Sequence, residues 1–141
     1  KSQVQIGGQA MPWAERLLYA ELMWMWELRS YAEAEKYDGP VFFDRGMPDV
    51  LGYLKLCGIA VPGYMQEAAC KYRYNTTVFM APPWREIYAG DNERKQSWEE
   101  VVATYDSMCS VYESFGYNII LLPLTGVAER VNFLKDKLWL V

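Results

Sequence analysis

The chain contains no histidine, the side chain that enzymes use most often for proton transfer near neutral pH. Serine–histidine–aspartate hydrolysis and histidine-based acid–base catalysis are therefore excluded. The three cysteines, Cys57, Cys70 and Cys109, are far apart and form no C-x-x-C pair, so a zinc site of cysteines and histidines is excluded as well. We expect these cysteines to be small buried thiols. Any catalysis has to use carboxylates, arginine, lysine or a bound metal ion.

Basic residues and long apolar runs are also scarce. The chain has 14 Lys and Arg against 18 Asp and Glu, and this net charge of −4 argues against a nucleic-acid partner. The richest apolar segment, residues 17–26, is interrupted by Glu21 and is too short to cross a bilayer, so no membrane partner is expected. Because no basic leader precedes a short apolar core, we expect a cytoplasmic location. The length of 141 residues suits a single domain over residues 1–141.

The longest helical signal covers residues 13–37. Pro12 suits the first turn of a helix, and no glycine or proline interrupts the strong helix formers that follow it. A stripe with a spacing of three and four residues runs along this segment, with Trp24 and Trp26 beside it. We predict one long, largely buried helix whose stripe packs into the core. The stripe consists of Leu17, Leu18, Glu21, Leu22, Met25 and Leu28.

Three β-rich segments alternate with helical segments, which is the pattern of a parallel α/β sheet. Ser97 and Glu100 form a capping box, and Gly58 and Gly116 are placed to end helices. The second and third strands are expected to be buried. The predicted strands are residues 41–44, 76–81 and 117–122, and the predicted shorter helices are residues 49–56, 65–71, 97–115 and 125–138.

The most informative segment is residues 41–46, V-F-F-D-R-G. As a buried strand it would bring Asp44 and Arg45 to the carboxyl end of a sheet, where parallel folds bind ligands. A carboxylate there can hold Mg²⁺ and an arginine can bind phosphate oxygens. An ordinary strand that ends at a turn explains the same residues, because Asp and Gly are common turn residues.

Several segments together resemble bacterial predicted ATPases of the AAA-like P-loop family, which is related to nucleotide and nucleoside kinases. They are G-G at 7–8, M-P-W at 11–13, V-F-F-D-R-G-M-P-D-V-L-G-Y at 41–53, Y-N at 74–75, A-P-P-W at 81–84, E-I-Y at 86–88, D at 91 and E-R-K-Q at 93–96. The resemblance implies a three-layer P-loop NTPase-like parallel sheet, ATP and Mg²⁺ as ligands, and hydrolysis or transfer to an unknown small-molecule acceptor.

The chain departs from this family at the phosphate cradle. The Walker A pattern G-x-x-x-x-G-K-[ST] does not occur, and Gly7-Gly8 is not followed by the required lysine and hydroxyl residue. If the resemblance holds, we expect the loop and the first two strands to lie upstream of Lys1. The 141 residues alone should then be inactive, because positioning of the triphosphate supplies most of the catalysis in phosphoryl transfer.

The resemblance assigns expected roles to particular side chains. Asp44 would hold Mg²⁺ through water or accept a proton, and Arg45 would bind the transferred phosphoryl group. Residues 84–96 would form a lid over ATP, although a solvated charged loop explains this segment equally well. The lid would supply Arg85, Arg94 and Lys95. The two arginines are the stronger candidates, because a guanidinium matches phosphate oxygens better than an ammonium does.

Two further sets of residues are candidates for pocket walls. Pro123, Leu124 and Thr125 follow the last strand, where related folds form part of the adenine pocket, although turn chemistry explains them too. Trp13, Arg16 and Tyr53 could line an acceptor pocket near Asp44, although aromatic residues on helices usually belong to the core. Asp49 lies in a first helical turn, where the helix dipole alone accounts for a carboxylate.

A different class of function also fits the composition. The chain could be a non-catalytic α/β interaction module whose Trp, Met and Tyr side chains contact a partner, including a swapped or associated copy of itself. The identity of the phosphoryl acceptor stays open at this point.

Overall fold

The computed structural model describes residues 5–11, 15–88 and 96–138. The chain divides into two units, Lys1–Tyr74 and Asn75–Val141. Within the described ranges, no helix combines the length and apolar character needed to cross a membrane. The expectation of a single domain over residues 1–141 stays a prediction.

The first unit contains the helices α1 (Arg16–Ala34), α2 (Met47–Leu56) and α3 (Gly63–Lys71). Helix α2 is central because it contacts both α1 and α3. Its buried side chains include Val50, Leu51 and Leu54, and full burial of such a side chain contributes roughly 1.5–3 kcal/mol to the free energy of unfolding. The helices predicted over residues 49–56 and 65–71 are confirmed, each with an amino end two residues earlier.

The long helix predicted over residues 13–37 is present as α1, but the prediction that it is largely buried is wrong. Ala20 and Trp24 are buried, whereas Met25 is 63% exposed and Trp26 is 55% exposed. The covered face continues from Trp24 to the half-buried Glu27 and Tyr31. Because apolar residues occupy most faces of this helix, their spacing did not select the face that packs against α2.

Residues 41–44 do not form a strand, so that prediction is wrong as well. Val41 and Phe42 are exposed, and a bend follows at Asp44 and Arg45. A strand needs a neighbour that pairs with its N–H and C=O groups. No described residue of the first unit belongs to a strand, so the β-branched and aromatic composition of this segment has no sheet to join.

The second unit contains the strands β1 (Thr77–Met80) and β2 (Asn118–Leu121) with the helices α4 (Arg85–Tyr88), α5 (Trp98–Ser114) and α6 (Val127–Leu138). The strands pair in parallel, with Thr77 opposite Asn118. This parallel pair, connected through helices, is compatible with an α/β fold. Both strands are only partly covered, so the expectation of buried strands is wrong.

Helix α5 begins and ends where the sequence predicts. Ser97 Oγ accepts a hydrogen bond from the Glu100 N–H at 3.2 Å, and Glu100 Oε2 accepts one from the Ser97 N–H at 2.7 Å. Gly116, with a φ of +74°, follows the helix in the left-handed conformation that ends many helices. The buried side chains of this unit are Met108, Val111, Tyr112 and Tyr117. Cys70, in the first unit, is exposed and not buried as expected.

Candidate functional site

The amino end of α2 is fixed by two hydrogen bonds. The Gly46 N–H donates to Asp49 Oδ2 at 2.8 Å, and the Met47 N–H donates to Tyr74 Oη at 3.1 Å. Pro48, the next residue, has no N–H to satisfy. Asp49 lies in the first helical turn, as predicted, and its carboxylate also caps the helix, which the sequence analysis did not predict. These contacts fix the start of the helix immediately after Asp44 and Arg45.

Tyr74 and Gly46 lie in close contact at this point. A Cβ atom on Gly46 would lie 2.9 Å from the Tyr74 ring, so only glycine fits without a shift of the ring. The Tyr74 ring also packs edge-on against Phe43, with 5.0 Å between ring centroids, and against Tyr31 on α1, with 5.4 Å. Tyr74 thus connects the segment before α2 to α1.

Arg45 has a φ of +81°, the only positive φ of a non-glycine residue among those described. A left-handed conformation in a residue with a Cβ costs on the order of 1–3 kcal/mol and persists only where the surroundings impose it. Here the chain turns from residue 43 into α2, whose start is fixed by the hydrogen bonds from the Gly46 and Met47 N–H groups. Asp44 and Arg45 are both exposed and lie side by side on this turn.

Asp44 and Arg45 line a groove of about 300 Å³ in the first unit. One wall is the carboxyl-terminal half of α1 and the segment after it, and the other wall is residues 41–45. The sequence placed both side chains at the rim of a sheet, whereas the structure places them opposite a helix. The groove is lined by Glu27, Ser30, Glu33, Ala34, Tyr37, Val41, Phe42, Phe43, Asp44 and Arg45.

The groove is acidic, and its charges affect the pKa of Glu27. Burial raises the pKa of Glu27 above 4.5, the nearby carboxylates of Asp49 and Asp44 raise it further, and Arg45 lowers it. Unlike Glu27, Glu33 has an ion-pair partner. Its Oε1 accepts a hydrogen bond from Arg29 Nε at 3.1 Å. Sequence analysis missed Glu27, since a glutamate between two apolar turns resembles an ordinary solvent-facing residue.

The expected acceptor-pocket residues lie elsewhere. Neither Arg16 nor Tyr53 lines the groove. Tyr53 packs edge-on against Tyr19, with 5.5 Å between centroids, and burial is the main cause that raises its pKa to about 12. The core role that the sequence favoured for Tyr53 therefore agrees with the structure, and Trp13 lies outside the described residues.

Arg85, from the expected lid, lies on the short helix α4. Its guanidinium carbon lies 4.7 Å from the centroid of the Trp98 ring at the start of α5. Hydrogen bonds from its own backbone and from Ser97 lower the pKa of Glu99, and the charge of Arg85 lowers it further. Arg94 and Lys95 lie outside the described residues, so the lid over residues 84–96 stays a prediction.

The segment after β2 is attached to α6 through an arginine that sequence analysis missed. Arg130 Nε donates a hydrogen bond to the Pro123 carbonyl at 3.0 Å, and the guanidinium carbon lies 5.4 Å from the centroid of the Trp84 ring. Arg130 thus joins the two segments that leave the carboxyl ends of β1 and β2. Leu124 and Thr125 are exposed, and the adenine-pocket role of residues 123–125 stays a prediction.

Comparison with known protein families gives one result. A family model described as an AAA domain matches residues 1–130. The chain belongs to this AAA domain family. Membership supports P-loop ATPase-like nucleotide binding, and the family generally binds ATP with Mg²⁺. No curated protein and no solved structure matches the chain at a significant level.

Three helix amino ends of the described residues are occupied by side chains and are not open to a phosphate. Phosphates bind to free amide groups at helix amino ends. At the start of α1 the Leu17 N–H donates to the Glu15 carboxylate at 3.2 Å, and the amino ends of α2 and α5 are capped by Asp49 and by the Ser97–Glu100 pair. The described residues also contain no group of three acidic or cysteine side chains that could hold a metal ion.

We predict that Gly46→Ala destabilises the AAA domain by roughly 1–3 kcal/mol, because the added methyl group would overlap the Tyr74 ring. Gly39→Ala is the matched control, since a Cβ at Gly39 meets no atom within 4 Å. Urea unfolding of both variants measures the free energies. Equal stability of the two variants would show that the Gly46–Tyr74 contact is not tight.

A second prediction concerns Glu27 and pH. Because the pKa of Glu27 is raised above 4.5, the folded state holds its proton more tightly than the unfolded state. The free energy of unfolding should therefore fall as pH rises through the interval between 4.5 and the higher folded pKa. Glu27→Gln has no such loss, so its stability relative to the wild type should increase as pH rises through this interval.

Urea unfolding below and above this interval measures the effect. Glu67→Gln on α3 is the control, because Glu67 is exposed and does not line the groove, and its difference from the wild type should stay constant. A wild type that gains stability relative to Glu27→Gln as pH rises would contradict the predicted sign.

Proposed function

We propose that this chain is part of an ATP-dependent P-loop ATPase or small-molecule kinase-like phosphotransferase that uses Mg²⁺. The observation that carries the proposal is the turn at Asp44 and Arg45, together with family membership over residues 1–130. A costly left-handed arginine beside an exposed carboxylate is typical of functional sites, where packing compensates for backbone strain. Simple turn chemistry would favour glycine or asparagine at such a position.

The two side chains have complementary chemical capacities. The guanidinium of Arg45 offers paired N–H donors that match phosphate oxygens, and the carboxylate of Asp44 can accept a proton or hydrogen-bond to water. Their exposure at the groove leaves both side chains accessible to a ligand. In this proposal Arg85, Arg94 and Lys95 belong to a lid, and Pro123, Leu124 and Thr125 form part of the base pocket.

We propose that the phosphate cradle comes from residues other than those described. The Walker A pattern is missing from the sequence, and the described amino ends of α1, α2 and α5 are occupied by carboxylates or a hydroxyl. We therefore propose that the 141-residue chain alone does not bind Mg-ATP tightly, and that further polypeptide supplies the cradle.

The test compares this chain with the full-length product of its gene. Calorimetric titration with Mg-ATP should show no tight binding to the 141 residues, and measurable binding and turnover in the full-length product. Asp44→Asn and Arg45→Gln should each lower turnover of the full-length product by about tenfold or more, because a hydrogen bond to a charged group contributes roughly 1.5–3 kcal/mol.

Asp38→Asn is the matched control, since Asp38 is exposed and does not line the groove. Full turnover in both the Asp44→Asn and Arg45→Gln variants would contradict the site. Tight Mg-ATP binding to the 141 residues would contradict the proposed origin of the cradle.

The exposed apolar face of α1 favours a second candidate, self-association. Met25 and Trp26 are adjacent and each more than half exposed, which is the kind of surface that interfaces cover. In that case the chain would act as an interaction module without catalysis. Sedimentation of the same samples distinguishes the two, because a monomer at high concentration excludes self-association through this face.

A further inference from the structure

The groove beside Asp44 combines aromatic faces with carboxylates. Its volume of about 300 Å³ lies at the lower end of the range for small-molecule sites. Tyr37 and Phe42 are 70% and 63% exposed, although both line the groove. An aromatic ring presents a negative electrostatic face, and this face attracts an organic cation that also covers apolar surface.

The charge of the lining favours the same kind of ligand. Glu27, Glu33 and Asp44 line the groove against a single cationic side chain, Arg45. Glu33 is paired with Arg29, whereas half-buried Glu27 forms no ion pair with any described residue. Arg45 attracts Glu27 without forming an ion pair with it, so this partly desolvated carboxylate still gains from a bound cation.

Other ligand classes fit this lining less well. An anion that filled the groove would meet three carboxylates and only one guanidinium, whereas the phosphate of the proposed function needs contact with Arg45 alone. A divalent metal prefers a cluster of oxygen ligands, and within the described ranges no three acidic or cysteine side chains are close enough to form one. Neither class would use the exposed faces of Tyr37 and Phe42.

We propose that this groove binds a small organic cation, an alkylammonium or quaternary ammonium group, whose charge lies near Glu27 and Asp44 and whose apolar body covers Phe42 and Tyr37. The inference rests on the proposed function only in one respect: a cation bound here would lie beside Arg45 and would be the class of molecule that accepts the phosphoryl group through a hydroxyl. The binding itself needs no nucleotide.

The test is an NMR titration of the 141-residue chain with tetramethylammonium chloride, which follows the ring signals of Tyr37 and Phe42. We expect saturable shifts with a Kd of about 1–10 mM, in line with a few cation–π and charge contacts. tert-Butyl alcohol matches the probe in size without its charge, and sodium chloride matches its charge without its apolar body. Equal shifts with either control would overturn the proposal.

Substitutions locate the binding and separate its two contributions. Phe42→Leu should weaken binding by about two- to fivefold, because it keeps the apolar body and removes the aromatic face. Glu27→Gln should also weaken binding, whereas Glu67→Gln should leave the Kd unchanged. Unchanged affinity in both Phe42→Leu and Glu27→Gln would overturn the assignment to this groove. Phe42 is exposed, so its substitution is not expected to impair folding.

Arg45→Gln distinguishes this proposal from the proposed function. It should tighten tetramethylammonium binding, since it removes a like charge from the groove, whereas it should lower ATP turnover in the full-length product. Weaker cation binding in Arg45→Gln would overturn the cation proposal and leave the phosphotransferase proposal intact. Unchanged turnover with tighter cation binding would overturn the assignment of Arg45 to phosphate binding and leave the cation proposal intact.

Discussion

The geometry of the candidate site depends on the contact between Tyr74 and the start of α2. The hydroxyl of Tyr74 accepts the Met47 N–H, and the face of its ring occupies the space that a side chain at Gly46 would need. Because the same ring packs on Phe43 and Tyr31, one side chain fixes the turn, the helix start and their distance from α1. Together with the Gly46–Asp49 hydrogen bond, this contact fixes the start of α2 directly after the left-handed Arg45.

The charges of the groove follow from this arrangement. Burial is the main cause that raises the pKa of Glu27, and the charges of Asp49 and Asp44 raise it further, whereas Arg45 lowers it. An excess of carboxylate is unfavourable for stability and useful for holding a cation. The same turn presents Arg45, whose guanidinium suits a phosphate. In the proposed function, this turn would place a phosphate-binding arginine beside the acidic groove that holds the acceptor.

Local signals in the sequence predicted the elements that depend on local chemistry. Gly58 marks the end of α2, and the Ser97–Glu100 pair and Gly116 mark the start and end of α5, because caps and left-handed glycines act within a few residues. The parallel pairing of β1 and β2 followed from strands separated by a helix. The Asp44–Arg45 dipeptide was selected from the sequence because it follows an apolar run, but that run is not a strand, and the role of the dipeptide stays a prediction.

Non-local features could not be predicted in the same way. The face of α1 that packs was misjudged because Leu, Met and Trp side chains surround the helix. Residues 41–44 have strand composition, but the described part of the first unit contains no strand to pair with them. Glu27, Tyr74 and Arg130 act through partners that are distant in sequence or on another element, so their own neighbours give no signal. The match of the AAA domain family supplied the nucleotide-binding class that the geometry alone does not identify.

Amide hydrogen exchange at Met47 tests the central claim most directly. The first amide groups of a helix have no partner within the helix and normally exchange fast. Because Tyr74 accepts the Met47 N–H, the Met47 amide should be protected in the wild type, and Tyr74→Phe should abolish that protection while amides in the middle of α2 stay protected. A Met47 amide that exchanges at the unprotected rate in the wild type would contradict the account.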